Sequence, residues 1–419
     1  MTVQNQKKWI TGISAVVILT LIAMAAIAGC ATNTLAGHDT GSTSGTMAGQ
    51  PDGRDLFPEK AYPEYAHGYS VEYHGTYKVV RVFDPWGRAS GNHTYLLVQR
   101  GEKVPEGYPD ARVFYIPLES VITLSVSHAS YLGAINETAS IRGHNGLSNI
   151  FDEAFRERAN AGEITEVGSG TLSMNNPLKT ETMIELSPDA VFCSASGYPE
   201  YDDQQKLVEA GLRPVVAADW MENDPLARAE WIKFYSLFFN REEEADDYFR
   251  TIEENYLLIK EKAAGAAGRP TLFSGFEYQG TWYASGGESY VAQLFRDAGG
   301  DYLFSDNSGA GELPLDFEVV YDRAHDADFY INIGMTGGVE DILARDPRYA
   351  NFDAVKNGAI YHFDARTNEY GSLDYWQSGT VHPDVILKDL VKILHPDLLP
   401  DHELYYYRHI SAGTTGDNS

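Results

Sequence analysis

Apolar and polar positions alternate through YSVEYHGTYKVVRVFD (residues 69–84) and turn about His74-Gly75, which predicts a β-hairpin. TYLLVQRG (94–101) predicts a further strand. From residue 112 the pattern changes. Apolar runs in RVFYIPL (112–118), AVFCSAS (190–196) and RPVVAAD (213–219) read as strands. They alternate with helical patterns in NIFDEAFRERANAG (149–162) and YDDQQKLVEAGL (201–212), the rhythm of an α/β layer with a mostly parallel sheet. The same rhythm returns in RPTLFSGF (269–276), ADFYINIG (327–334) and GAIYHFDA (358–365), and it closes on an amphipathic helix in HPDVILKDLVKILHPDLL (382–399).

Between the two α/β stretches, residues 224–264 are almost continuously helical in pattern. Asp224-Pro225 supplies an N-cap followed by proline at the first helical position. Ala245, Tyr248, Phe249, Ile252, Tyr256 and Ile259 then share one face. As a helix, residues 241–262 span about 33 Å, long for a crossover within one sheet. The segment reads as a packed surface helix or as a strut between two bodies. The expected organisation is an N-terminal α/β lobe at 57–240, an interlobe helix at 241–265, a C-terminal α/β lobe at 266–400 and a tail at 401–419.

The N-terminus has its own pattern. Lys7-Lys8 precede an apolar run from Trp9 to Gly29, long enough to cross a bilayer as a helix. The run ends Ile27-Ala28-Gly29-Cys30, which resembles a bacterial-type lipobox. That resemblance implies a signal peptide at 1–29 and a lipid on Cys30; the alternative is an uncleaved anchor helix. Either one tethers the rest of the chain outside the cell membrane. Residues 30–56 read as a flexible tether. Its Gly/Ser/Thr/Ala-rich part, 31–53, has a root-mean-square span of about 25 Å. A globular body on a loose tether suits capture of material near the membrane.

The 419 residues exceed one ordinary core, and a 43% hydrophobic composition is enough to fold most of them. The net charge of −28, from 60 acids against 32 bases, argues against a nucleic-acid partner, because no basic patch is present. Cys193 lies in an apolar strand pattern and reads as a buried, inert thiol. No GxSxG, phosphate loop or HExxH motif occurs, so no catalytic residue and no cofactor are assigned. An extracellular hydrolase and a surface adhesion protein remain as alternatives of other classes.

In open α/β proteins ligands bind in the crevice beyond the carboxyl ends of the strands. The loops there carry His128, Tyr131, Tyr198, Trp220, Tyr278, Trp282, Tyr283, Tyr370, Tyr375 and Trp376. The aromatic rings suit a flat or bulky organic ligand, and about half of them are expected to be packing instead. Arg366 is a candidate cation for an anionic chelate. His93, His128, His144, His325 and His362 show no metal-ligand spacing. No metal site is therefore assigned, and His128 counts as a cleft residue.

TETMIELSPDAVFCSAS (180–196), ASGGESYVAQLFRDAGGDYLF (284–304) and DYWQSGTVHPDVILKDLVKILHPDLLP (374–400) resemble segments of the ABC-transporter substrate-binding proteins that carry iron-siderophores and vitamin B12. The resemblance covers residues from about 110 to 400; residues 57–110 depart from the shortest members. It implies two Rossmann-like lobes with mostly parallel sheets, joined by one rigid helix, with the ligand in the cleft between them. It implies a non-catalytic receptor for a metal chelate, most simply an iron-siderophore, with cobalamin or haem as alternatives. The partners it implies are an ABC permease dimer and its ATPase. It also implies that one glutamate per lobe, Glu181 and Glu288, docks on arginine pockets of the permease, with Gly286 and Gly287 clearing space for the partner.

Overall fold

The computed structural model describes residues 54–83, 92–170, 178–194, 202–334 and 337–411. The described residues are built on four sheets. Strands β1 (Tyr69–His74), β2 (Tyr77–Val82), β3 (His93–Gln99) and β4 (Arg112–Ile116) form a mixed sheet in that order. The predicted hairpin is β1–β2, with His74 opposite Tyr77. The run at 112–118 does not start the first lobe; β4 pairs parallel with β3 instead.

The N-terminal lobe is an all-parallel sheet of order β7-β6-β5-β8-β9. Its strands are β5 (Val121–Thr123), β6 (Ile141–Asn145), β7 (Thr165–Gly168), β8 (Ala190–Ser194) and β9 (Pro214–Ala217). Helices α1 (Val126–Ala134), α2 (Glu153–Asn160), α3 (Thr180–Leu186) and α4 (Gln204–Glu209) connect them. The open edge of β9 is covered by the first sheet: the Val216 N–H donates to the Tyr95 hydroxyl at 2.8 Å, and Arg112 donates to the Pro214 carbonyl.

The second lobe has the order β13-β10-β15-β16-β17, from β10 (Thr271–Ser274), β13 (Asp301–Tyr302), β15 (Phe329–Ile331), β16 (Ile360–His362) and β17 (Arg408–His409). A small antiparallel sheet of β11 (Phe276–Tyr278), β12 (Thr281–Ser285) and β14 (Glu312–Leu315) sits beside it. Helices α7 (Tyr290–Asp297), α8 (Phe317–Ala324), α9 (Val339–Arg345), α10 (Asp353–Lys356) and α11 (Pro383–Leu394) complete this half. The segment read as a tail belongs to the lobe as far as residue 411. β17 pairs antiparallel with β16, and the fully buried Asp389 accepts the backbone N–H groups of Tyr405, Tyr406 and Tyr407.

The helical stretch is two helices, α5 (Pro225–Ser236) and α6 (Glu242–Ala264). The second begins within a residue of the expected interlobe helix at 241–265. The helical pattern itself runs on through 224–264, because a distant residue makes the break. Buried Lys78 of β2 donates to the Leu237 carbonyl and to the Asn240 side chain, and it pairs with Glu242. Asn240 takes the left-handed conformation that lets the chain turn there. Glu242, Glu243 and Glu244 then complement the dipole at the start of α6. Its buried stripe is Ala245, Phe249, Ile252, Tyr256, Ile259 and Ala263. Over 23 residues α6 runs about 35 Å. It packs on α5 of the first lobe and on α11 of the second, which makes it a strut.

Candidate functional site

Sheet topology aims the carboxyl ends of β5, β6, β8 and β9 in one common direction, and those of β10, β15 and β16 likewise in the other lobe. On the first lobe, Ser125 caps α1 just beyond β5, and α1 carries His128 and Tyr131 inward. Both are fully buried, so neither is a wall of an open cleft. His128 Nε2 lies 3.3 Å from Ser194 Oγ, and burial holds its pKa down to about 3, so it is neutral. His144 is held to about 3 by the same cause and bonds Thr123 at 2.7 Å. Tyr131 stacks on Tyr235 at 4.7 Å and donates to the Arg228 carbonyl at 2.6 Å.

Beyond β9, a short turn at Asp219–Met221 leads into α5. Asp219 is almost completely buried, and desolvation pushes its carboxyl up to about 6. Among the described residues, its Oδ1 and the Tyr235 hydroxyl find no hydrogen-bond partner. Half-buried Trp220 offers its carbonyl to Arg228 at 2.8 Å.

On the second lobe, both ring nitrogens of buried His362 at the end of β16 lack partners among the described residues, and burial lowers its pKa to about 4. Tyr375 is also buried, stacked on Phe363 at 4.3 Å. Trp282 is fully enclosed. Its indole N–H donates to the Ser274 carbonyl at 3.1 Å, and its ring packs among Phe273, Phe317 and Tyr349. Trp282 is therefore core and not a ligand wall. An interior-facing position on β12 looks the same in sequence as one facing a cleft. Arg366 is engaged as well: it binds buried Asp374 at 2.6 Å and lies 4.4 Å over the Tyr405 ring. Trp376 and Tyr370 are the exposed rings, at 44% and 62%, and Tyr278 and Tyr283 are half-buried. Tyr198 and Cys30 lie outside the described residues.

The lobes meet directly along one seam that the sequence reading missed. The Asn368 side chain donates to the Ser148 carbonyl at 2.9 Å, and Ser372 donates to Asn149 at 3.0 Å. The Phe151 N–H donates to Gln377, and Arg366 lies 5.1 Å over the Phe151 ring. Deeper in, the Arg228 guanidinium stacks 3.9 Å over Tyr290 of the other lobe. Short polar loops such as GLSN (146–149) carry no periodicity, so only pairing across the lobes could have found them. A cavity of about 300 Å³ between Asn92 and Arg112 lies away from this seam, on the first sheet. No cluster of three metal-ligating side chains occurs among the described residues.

Glu181 and Glu288 are both exposed. Glu181 lies in the first turn of α3. Glu288 precedes Ser289, whose side chain caps α7 by accepting the Ala292 N–H at 3.2 Å. The adjoining glycines do not clear space for a partner. Their space is taken by the protein's own loop: a Cβ on Gly286 would lie 2.2 Å from the Gly309 carbonyl oxygen, and one on Gly287 would lie 2.4 Å from that of Asn307. The Glu288 N–H donates to the Gly309 carbonyl at 2.9 Å.

Residues 121–367 match a family model described as periplasmic binding protein. An uncharacterized lipoprotein of Methanocaldococcus jannaschii is 30% identical over 329 residues, 75% of this chain and 75% of that one. A possible iron-binding, periplasmic solute-binding protein of Staphylococcus epidermidis superposes with a TM-score of 0.53 at 16% identity, covering 67% of this chain and 99% of that one. A periplasmic heme binding protein of Pseudomonas aeruginosa gives 0.52 at 14% identity, covering 71% and 99%. At these identities the two structures speak for the fold.

Proposed function

The chain belongs to the periplasmic binding protein family, whose members are solute-binding components of transporters and not enzymes, and on that premise we propose that it is a lipid-anchored receptor that captures a metal chelate between its lobes. One observation carries this reading. Buried polar atoms with unmet hydrogen-bonding capacity among the described residues include some that follow strand ends in both lobes: Asp219 Oδ1 after β9 in the first, and both His362 ring nitrogens and one oxygen of Asp364 at and after the end of β16 in the second. Buried polar atoms are ordinarily paired, so unpaired ones on both lobes beyond the strand ends support a site that a ligand or its waters complete. An iron-siderophore is the simplest cargo, with haem and cobalamin next; the iron and heme named for the two similar structures support that class.

Cys30 is the proposed lipid attachment point, in keeping with the lipoprotein named among the relatives. The proposed location is the outer face of the cell membrane, and the proposed partner is an ABC permease dimer with its ATPase. Glu181 and Glu288 are the proposed docking acids. They are exposed, and each stands at the start of a helix on its own lobe, where a cationic pocket can reach it. With α6 as a packed strut, closure of the lobes is a small motion.

The test is titration of the purified protein with a ferric hydroxamate, ferric citrate, haemin and cobalamin, followed by native mass spectrometry and tryptophan fluorescence. Saturable one-to-one binding of one of these supports the reading. Failure of all four to bind overturns it.

A further inference from the structure

We propose that Arg228 is the charge-reading residue of the crevice, and that the ligand presents an anionic oxygen group to it. This inference rests on the crevice being the binding site. Arg228 lies in the first turn of α5, just after the Asp219–Met221 turn that follows β9, so it stands at a strand end of the first lobe. Its side chain is held in place. Nη2 donates to the carbonyls of Trp220 at 2.8 Å and Glu222 at 3.0 Å, and the Tyr131 hydroxyl holds the Arg228 carbonyl from below.

What it lacks is a counter-ion. Among the described residues no carboxylate reaches it within ion-pair distance, and its buried Nε makes no hydrogen bond. Asp219 is close enough for the two charges to influence each other, yet it forms no ion pair with it. Acids outnumber bases 60 to 32 in this chain, so a partner for a half-buried guanidinium would be easy to supply. Arg366, expected from the sequence to serve the ligand, has been supplied with one in Asp374. A half-buried cation without a carboxylate partner is incompletely compensated, and an anionic ligand group compensates it with charge-assisted, directional hydrogen bonds.

The guanidinium also lies 3.9 Å over the ring of Tyr290, which belongs to the second lobe. An anion bound at Arg228 therefore holds a group that already touches both lobes, and ligand charge is coupled to the lobe contact. The ligand class is an anionic chelate with carboxylate or comparable oxygens at its periphery, in preference to a neutral chelate of similar size.

The experiment titrates the wild type, R228Q and R228K with ferric citrate as the anionic probe and a neutral ferric trihydroxamate as its counterpart. Thermal unfolding is recorded on each protein. The wild type should favour the anionic chelate. R228Q should lose tenfold or more of that affinity while neutral binding changes less than threefold. R228K, which keeps the charge without the forked donors, should fall between them. Should R228Q fail to fold, the ratio of anionic to neutral affinity in R228K decides. A ratio below that of the wild type supports the assignment, and an unchanged ratio overturns it. A wild type that prefers the neutral chelate, or equal losses for both probes, also overturns it and leaves the crevice reading standing. A wild type that binds neither probe, nor haemin, nor cobalamin, removes both.

Discussion

Each lobe carries an accessory sheet, and the two are fastened by different physics. The β1–β4 sheet of the first half is tied to α5 and α6 by buried charge. Lys78 meets Glu242, and Glu230 accepts the backbone N–H groups of Glu64, Tyr65 and Ala66. Glu222 accepts those of His67 and Gly68. Burial lowers the Lys78 pKa to about 8 and raises that of Glu242, so desolvation outweighs their attraction on both sides. The β11–β12–β14 sheet of the second half is held by rings, with Trp282 inside a cluster of Phe273, Tyr330, Tyr349 and Phe352. Charge specifies one geometry and fails sharply when half of it is removed. Ring packing fails in proportion to the volume lost.

The largest effects should expose this contrast. Lys78→Met leaves Glu242 buried without its cation and should cost about 3–5 kcal/mol in urea unfolding; adding Glu242→Leu should recover most of it. Trp282→Ala should cost a similar ~3–5 kcal/mol, with no single second change that restores it. Recovery of Trp282→Ala by a polar partner, or no recovery of Lys78→Met, would break the comparison.

The next effect separates the crevice floors by pH. Asp219 has a folded pKa raised to about 6, above its unfolded value of 3.8. Its relative stabilisation is full below pH 3.8 and is lost as pH rises through 6. Asp219→Asn should therefore stabilise the protein at pH 8 by up to ~3 kcal/mol and give no gain near pH 3.8. His362 is lowered to about 4, as His128 and His144 are to about 3. Their contribution is present above pH 6.5 and fades as pH falls toward those values. His362→Gln should flatten part of the acid limb measured by circular dichroism against pH.

Smaller still is Gly287→Ala, which forces the Asn307 and Ser305 carbonyls apart and should cost about 1–3 kcal/mol. The least visible change is Glu288→Ala or Glu181→Ala. Melting should stay within ~0.5 kcal/mol of the wild type and chelate affinity should not change, while cellular uptake falls. Normal uptake in both would remove the docking assignment.

Much of the fold was legible. The β1–β2 hairpin, β8, β9, β10, β15, β16 and α11 follow from alternation and apolar runs, because burial on one or both faces imposes those periods locally. Three-residue β5 was missed, since VIT is too short to show a period. The site was far less legible. An aromatic residue at a strand end reads alike whether it faces solvent, the core or the other lobe, and the structure moves Tyr131, Trp282 and Tyr375 into buried packing. Arg228 gave no signal, because it looks like one more helix surface residue.

By itself the sequence determined the α/β alternation, the long helical stretch between two halves and the family resemblance, all set by neighbours within a few turns or strands. Tertiary structure alone decided that Lys78 ends α5 from 159 residues away, that Arg366 is neutralised while Arg228 is not, and that Gly286 and Gly287 are filled by the 305–311 loop. The physical reason is that periodicity records only whether a side chain is buried. Which group it meets there, and whether its charge is answered, depends on residues brought together by the fold.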